Sequence, residues 1–204
     1  MKQIRLLWPM LLLSACGEPD FDRLLAAPGG EPRETSAWSS YGGAGGRHFA
    51  PLDHINRSNV QDLTLAWTVR TGAVGTVFQS TPVLADGRLL LCTPFNELMA
   101  LDPLTGGELW RFDAQIDRDA RPANEFNCRA VTPWQQASAP CPSVAFMATN
   151  DARLIAIRTD TGARCTTFGN DGEVDLSEGV GETRWPGEYQ VTSPPAVAGD
   201  LVIV

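Results

Sequence analysis

The stretch Ala100-Leu101-Asp102-Pro103-Leu104-Thr105-Gly106 has a counterpart 56 positions later, Ala156-Ile157-Arg158-Thr159-Asp160-Thr161-Gly162. Each copy ends a short apolar run in a polar turn that closes on Thr-Gly. Glycine supplies the positive φ that a tight hairpin turn needs, and the side chains of Asp102 and Thr105 are suited to bonding the turn's backbone. Four residues past Gly106, Trp110 offers a large flat face for packing against a neighbouring unit, whereas the second copy has Phe168, preceded by Cys165, where a tryptophan would fall.

Outward from these turns, short apolar runs bounded by Gly, Pro, Asp and Thr recur with no dominant helical period. The pattern predicts strands near residues 82–84, 89–93, 98–101 and 109–112, then near 129–132, 144–149, 154–157 and 165–168. A third set opens at 192–197 and 201–204. Four short antiparallel strands repeating at this interval make one blade of a β-propeller, a unit that cannot bury both faces of its sheet without neighbours. The expected fold is therefore all-β, a β-propeller of which two complete blades and the start of a third are present. Because a propeller needs at least four blades to close, the N-terminal part of a larger ring is expected.

The 204 residues are 43% hydrophobic and 20% charged, enough for a real core and inconsistent with disorder. Sixteen Lys and Arg against 24 Asp and Glu leave a formal charge of -8, which argues against nucleic acid as a partner. Nineteen Gly and fifteen Pro are more punctuation than a helical bundle tolerates.

The chain opens as an export signal: Lys2 and Arg5, then an apolar run from Leu6 to Leu13 that is too short to span a bilayer. Leu13-Ser14-Ala15-Cys16 resembles a bacterial lipobox, which implies removal of residues 1–15 and lipidation of Cys16. With Gly17 and Glu18 next, that resemblance favours the periplasmic face of the outer membrane, or the periplasm. Residues 16–35, with Pro19, Pro28, Gly29, Gly30 and Pro32, read as a tether, and 36–204 as the propeller domain. The remaining cysteines, Cys92, Cys128, Cys141 and Cys165, are even in number and suit an oxidising compartment. Three connectivities are open; Cys128 and Cys141, 13 positions apart across an expected loop, are one candidate pair, and Cys92 alone reads as a small buried hydrophobe. No Cys-x-x-Cys occurs, and His48 and His54 stand far from every cysteine, so zinc is not indicated. Those histidines read as surface or packing groups, and the acidic run Asp171, Glu173, Asp175, Glu178 as a solvated hairpin without calcium-loop spacing.

Two longer constellations carry a family resemblance. The first runs Trp38-Ser39-Ser40-Tyr41-Gly42-Gly43, Arg47-His48-Phe49-Ala50-Pro51-Leu52, Ile55-Asn56, Asn59-Val60, Leu63, Ala66-Trp67 and Thr71-Gly72, continuing with Ser80-Thr81-Pro82 and Cys92-Thr93-Pro94. The second comprises Asn127-Cys128-Arg129-Ala130-Val131, Asn150-Asp151-Ala152-Arg153-Leu154-Ile155-Ala156 and Tyr189-Gln190-Val191-Thr192-Ser193-Pro194-Pro195. Together with the docking turn and Trp110, they resemble the quinoprotein dehydrogenases that bind pyrroloquinoline quinone (PQQ), and within them the glucose, quinate and shikimate branch. The resemblance covers about 38–204 and implies an eight-bladed ring in the complete family member.

It also implies an activity: PQQ-dependent oxidation of a sugar, polyol or cyclic alcohol, with electrons passed to a respiratory quinone or cytochrome. A carboxylate base and a calcium ion serve that chemistry in the family; those residues are expected beyond Val204, so residues 1–204 alone are expected to be inactive. Three positions map to PQQ contacts. Arg129 would pair with cofactor oxygens, Thr192 would donate a hydroxyl hydrogen bond, and Gln79 stands where relatives carry a glutamate. Trp134 stands where glucose-oxidising relatives can have a histidine and becomes a candidate for the substrate pocket. Taken alone, Arg129 reads as a surface ion-pair partner, Thr192 as a strand start and Trp134 as a structural tryptophan. The contrasting function is a cofactor-free propeller lipoprotein acting as a scaffold in outer-membrane protein assembly, since it shares the lipobox and the docking repeats.

Overall fold

Strand alternation explains why the middle strands of the second repeat are apolar at nearly every position. The computed structural model describes residues 38–50 and 53–204. In β6 (Ser143–Ala148) and β7 (Arg153–Arg158), Ala145, Met147, Ile155 and Ile157 point into one core. Their neighbours Val144, Phe146, Ala148, Leu154 and Ala156 point into a second core on the opposite face. A sheet covered on both sides has no polar face to show, so its inner strands lose the polar half of the period-two pattern. Full burial of Met147, Ile155 and Ile157 stabilises the fold by roughly 1.5–3 kcal/mol per side chain.

Two four-stranded antiparallel sheets are formed in chain order. The first comprises β1 (Val83–Ala85), β2 (Arg88–Cys92), β3 (Glu97–Leu101) and β4 (Glu108–Asp113); the second comprises β5 (Thr132–Gln135), β6, β7 and β8 (Glu173–Asp175). A hairpin of β9 (Ala196–Ala198) and β10 (Leu201–Ile203) follows. Val83, Leu90, Cys92, Leu98 and Ala100 of the first sheet share a core with the inner face of the second, while Val197 and Val202 of the hairpin cover its other face. Among the described residues the only helical turns are two 3-10 turns, Ala44–Gly46 and Val60–Asp62. This is the expected all-β arrangement of consecutive blades.

Three strands differ from their predicted positions. The one expected at 129–132 begins at Thr132, because the carbonyl of Arg129 is taken by the Thr81 N–H at 2.7 Å and Cys128 is tied to Cys92. Pro133 is tolerated within β5 because that strand is a sheet edge. The strand expected at 165–168 is a turn, with Phe168 N–H bonded to the Cys165 carbonyl, and the fourth strand lies at Glu173–Asp175 instead. Gly169 and Gly172, both at positive φ, return the chain, and a Cβ on Gly169 would lie 2.2 Å from the Glu173 carbonyl oxygen. Glu173 and Asp175 belong to an edge strand entered through a tight antiparallel turn at Asp171, with Asp171, Asp175 and Glu178 exposed, and Glu173 pairs with Arg153 and Arg164. In the third set, Pro194 and Pro195 have no N–H to donate, and pairing starts at Ala196.

The repeated turn does what its sequence requires. Asp102 Oδ1 accepts the N–H groups of Leu104 at 2.8 Å and Thr105 at 3.0 Å, and Gly106 adopts φ 72°. The Gly106 N–H reaches the Asp102 carbonyl, as the Gly162 N–H reaches that of Arg158. Each turn receives a tryptophan from the preceding unit. Trp67 donates its indole N–H to the Pro103 carbonyl at 3.1 Å, and a Cβ on Gly106 would lie 2.5 Å from its ring. Trp110 likewise donates to the Thr159 carbonyl at 3.0 Å over Gly162, where a Cβ would lie 2.6 Å away. Phe168, without an indole N–H, packs on Phe146 at 5.3 Å.

The expected Cys128–Cys141 pairing is not what forms. Cys92 bonds Cys128 and Cys141 bonds Cys165, with Cα atoms 5.9 and 6.0 Å apart. Cys128 belongs to the core on one face of the second sheet and Cys141 to that on the other, so the sheet separates them. Cys92, which taken alone reads as a buried hydrophobe, is buried and cross-linked. The expected leader (1–15), lipidated Cys16 and tether to 35 lie outside the described residues, as do Pro51 and Leu52.

Candidate functional site

Residues 114–131, between β4 and β5, run without regular strand yet carry a dense set of polar contacts. Arg129, half-buried, donates from Nη1 to the Thr192 hydroxyl at 2.8 Å. These two residues, which the family resemblance marks as cofactor contacts, are therefore in direct contact. Among the described residues Arg129 makes no ion pair with a carboxylate, so its charge is open to an anionic ligand.

Gln79 joins the same region through Asn127. The Asn127 Nδ2 donates to Gln79 Oε1 at 2.7 Å, and Gln79 Nε2 donates to Glu125 Oε1 at 2.8 Å. Gln79 itself is exposed and engaged at both ends, its carbonyl by Asn127 and one N–H by Glu125. No side-chain bond joins Gln79 to Arg129 or Thr192 among the described residues; the link is the backbone of Asn127-Cys128-Arg129.

Behind them stands a layer of buried amides. Asn127, 1% exposed, gives its backbone N–H to Asn150 Oδ1 at 3.1 Å, and Asn150 Nδ2 bonds Asn96 Oδ1 at 2.6 Å and the Pro94 carbonyl at 3.0 Å. Gln190 Nε2 reaches the Glu125 carbonyl at 3.0 Å and Asn150 Oδ1 at 3.3 Å. Within this layer the Asn127 Oδ1 is buried without a partner, the kind of acceptor a bound donor or water would satisfy. Sequence alone points to no role for Asn127, Asn150 or Gln190, although all three lie in the resembling motifs, and it passes over Glu125. A usable signal is present: Asn96 and Asn150 both sit in the β-turns between the second and third strands of their sheets.

Trp134 lies elsewhere. On β5 it shares a face with Thr132, whose hydroxyl bonds the Pro195 carbonyl, and that face looks toward the third set. Trp134 contacts Phe146 at 6.4 Å between ring centres and lines an apolar pocket of about 280 Å³ with Phe168, Val197, Val202 and the Cys141–Cys165 bridge. Its surroundings are those of a packing residue between sheets, and no bond joins it to Arg129 or Thr192. His48 contacts Tyr41 edge-on at 5.6 Å in the lead-in segment.

Residues 38–204 match the family model described as PQQ, the glucose/ethanol/alcohol dehydrogenase β-propeller domain. The chain belongs to this family. It is 36% identical over 192 residues to quinoprotein glucose dehydrogenase A of Acinetobacter calcoaceticus, covering 83% of this chain and 24% of that protein. To the quinate/shikimate dehydrogenase (quinone) of Acinetobacter baylyi it is 37% identical over 189 residues, covering 82% of this chain and 23% of the relative. The crystal structure of quinohemoprotein alcohol dehydrogenase from Comamonas testosteroni superposes with a TM-score of 0.65 at 27% identity, over 91% of this chain and 24% of that one. The chain thus spans about a quarter of the length of the curated relatives it matches.

The PQQ-family cofactor is a planar ortho-quinone with three carboxylates, and the donor set suits it. A half-buried guanidinium with no carboxylate partner and a hydroxyl held at its side suit anionic and carbonyl oxygens, whereas the Gln79 amide is already bonded to the Glu125 carboxylate. Calcium is a different matter: among the described residues no three His, Cys, Asp or Glu side chains gather to hold a metal ion.

Proposed function

We propose that this chain is part of a PQQ-dependent dehydrogenase that oxidises a sugar, polyol or cyclic alcohol and passes the electrons to a respiratory quinone or cytochrome. The observation that carries the reading is the Arg129–Thr192 pair, at the positions that the family resemblance marks for the cofactor. When bound, PQQ supplies the two-electron acceptor for the alcohol carbon. This chain's own residues bind and orient it. Arg129 offers paired N–H donors to a carboxylate or an adjacent dicarbonyl, Thr192 holds that guanidinium in place, and Gln79, with one N–H taken by Glu125, has its second N–H to offer. Calcium enters the proposal as the family's metal, with its ligands expected beyond Val204.

The enzyme is proposed to sit at the periplasmic face of the outer membrane, anchored through Cys16, on the strength of the lipobox-like Leu13-Ser14-Ala15-Cys16. Two disulfides are in keeping with an oxidising compartment. The test is a titration of the full-length protein with PQQ in the presence of calcium, followed by absorbance. Saturable uptake, with polyols or sugars then reducing an artificial electron acceptor, is expected. A well-folded full-length protein that takes up no PQQ overturns the reading.

A further inference from the structure

The segment carrying Arg129 has no strand ladder of its own, so something else must fix where its guanidinium lies. Three tethers converge on three consecutive residues. Asn127 N–H is bonded to Asn150 Oδ1 at 3.1 Å, Cys128 is cross-linked to Cys92 at the end of β2, and the Arg129 carbonyl accepts from Thr81 N–H at 2.7 Å. Only the middle one is covalent. Cys92 and Cys128 are 1% and 3% exposed and lie in the core shared by the two sheets, so this tether anchors in well-packed surroundings.

We infer that the Cys92–Cys128 disulfide is a positioning device for the cofactor rim: it acts through Arg129 and sets the affinity for PQQ. A long side chain starting from an irregular segment has many rotamers and a movable base, and charge-assisted bonding to a planar anion requires that base to be fixed. The disulfide fixes it one residue away. The second disulfide provides a comparison, since Cys141–Cys165 lies in the other core, against Trp134 and Phe168, with no bond to Arg129, although Val191, next to Thr192, packs against that core. A role in stability alone predicts similar behaviour for both bridges, whereas positioning predicts that only one affects the cofactor.

The inference rests on the proposed function, and the experiment separates the two. In the full-length protein, the PQQ dissociation constant is compared among wild type, Cys92→Ser/Cys128→Ser and Cys141→Ser/Cys165→Ser. Removing Cys92–Cys128 is expected to weaken binding by about tenfold or more, the order of one lost charge-assisted hydrogen bond; removing Cys141–Cys165 should lower thermal stability with less than about a twofold change in affinity. A wild type that takes up no PQQ overturns the proposed function. A wild type that binds, with unchanged affinity in the Cys92→Ser/Cys128→Ser variant, overturns the positioning role alone. Should that variant fail to fold, Cys92→Ala/Cys128→Ala, which leaves no hydroxyl buried in the core, is titrated with PQQ in its place, and the same two outcomes, weakened or unchanged affinity, decide.

Discussion

Arg129 and Thr192 stand 63 positions apart in the chain and are bonded side chain to side chain at 2.8 Å. One lies just before β5 and the other just before β9, so the contact bridges the segments that lead into the second sheet and into the hairpin after it. Replacing Arg129 with Ala removes the charge and is expected to weaken PQQ binding by roughly ten- to a hundredfold, the worth of hydrogen bonds to a charged group. Arg129→Lys keeps the charge but loses the planar fork, and should fall between the two. Absorbance titration of the three proteins checks the order; equal affinities would remove Arg129 from the rim.

The tryptophan docks give a prediction about stability alone. Trp110→Phe keeps an aromatic ring but removes the fused second ring and leaves the Thr159 carbonyl without its indole donor, for a loss of about 1–2 kcal/mol. Gly162→Ala does more harm, because its Cβ would meet Trp110 at 2.6 Å and the residue sits at φ 74°. Strain and overpacking together are expected to cost about 2–4 kcal/mol. Thermal or urea unfolding should rank the two variants in that order.

Peptide mapping without reduction should return Cys92–Cys128 and Cys141–Cys165 and no Cys128–Cys141 species. The second bridge closes 24 positions of chain, and its removal is expected to destabilise by about 3 kcal/mol. A mapped Cys128–Cys141 bond would contradict the placement of those residues on opposite faces of the second sheet.

Asp86 clasps one blade to the next. Its carboxylate, in the turn between β1 and β2, accepts from the Gln135 amide of β5, the Ser143 hydroxyl of β6 and the Thr159 hydroxyl in the turn after β7. Asp86→Ala is expected to lower stability by about 1–2 kcal/mol, while leaving PQQ affinity unchanged. A variant as stable as wild type would show the clasp to be idle.

Acid should loosen the first docking turn. The backbone N–H groups of Thr105 and Leu104 hold the Asp102 carboxyl below its ordinary value. Because the folded value is the lower one, this contribution is present above the unfolded value of about 3.9 and is lost as the pH falls through the folded value. Asp102→Asn keeps an acceptor without a titration, so its stability should fall less steeply below about pH 4 than that of wild type. Parallel acid slopes for the two proteins would count against the turn as a titrating element.

What the sequence makes legible is local and periodic. The turns at 100–106 and 156–162 are readable because Asp, Thr and Gly act within a few residues of themselves. The strands β2, β3, β6 and β7 are readable because both faces are buried. The edges of the second sheet are not, although those of the first are: β8 is displaced to Glu173–Asp175 by a Gly169–Gly172 return, and β5 starts late because Arg129 and Cys128 are held by partners some 36 or more positions away. The same limit applies to the site. Arg129 and Thr192 emerge through resemblance, while Asn127 and Glu125 act by contacts spanning 48 and 46 positions that leave no local pattern. Trp134, marked by resemblance for the substrate pocket, lines the apolar pocket between the second sheet and the β9–β10 hairpin.

Each docking tryptophan arises before or within one sheet and completes the turn of the following one, as Trp67 does over Gly106 and Trp110 over Gly162. The unit that folds is therefore out of phase with the unit that repeats. A boundary drawn between sheets, convenient for excising or swapping a blade, would strip one turn of its lid and leave a tryptophan without a seat. Blades of this protein are better exchanged at cuts placed just ahead of the tryptophan, so that lid and seat travel together.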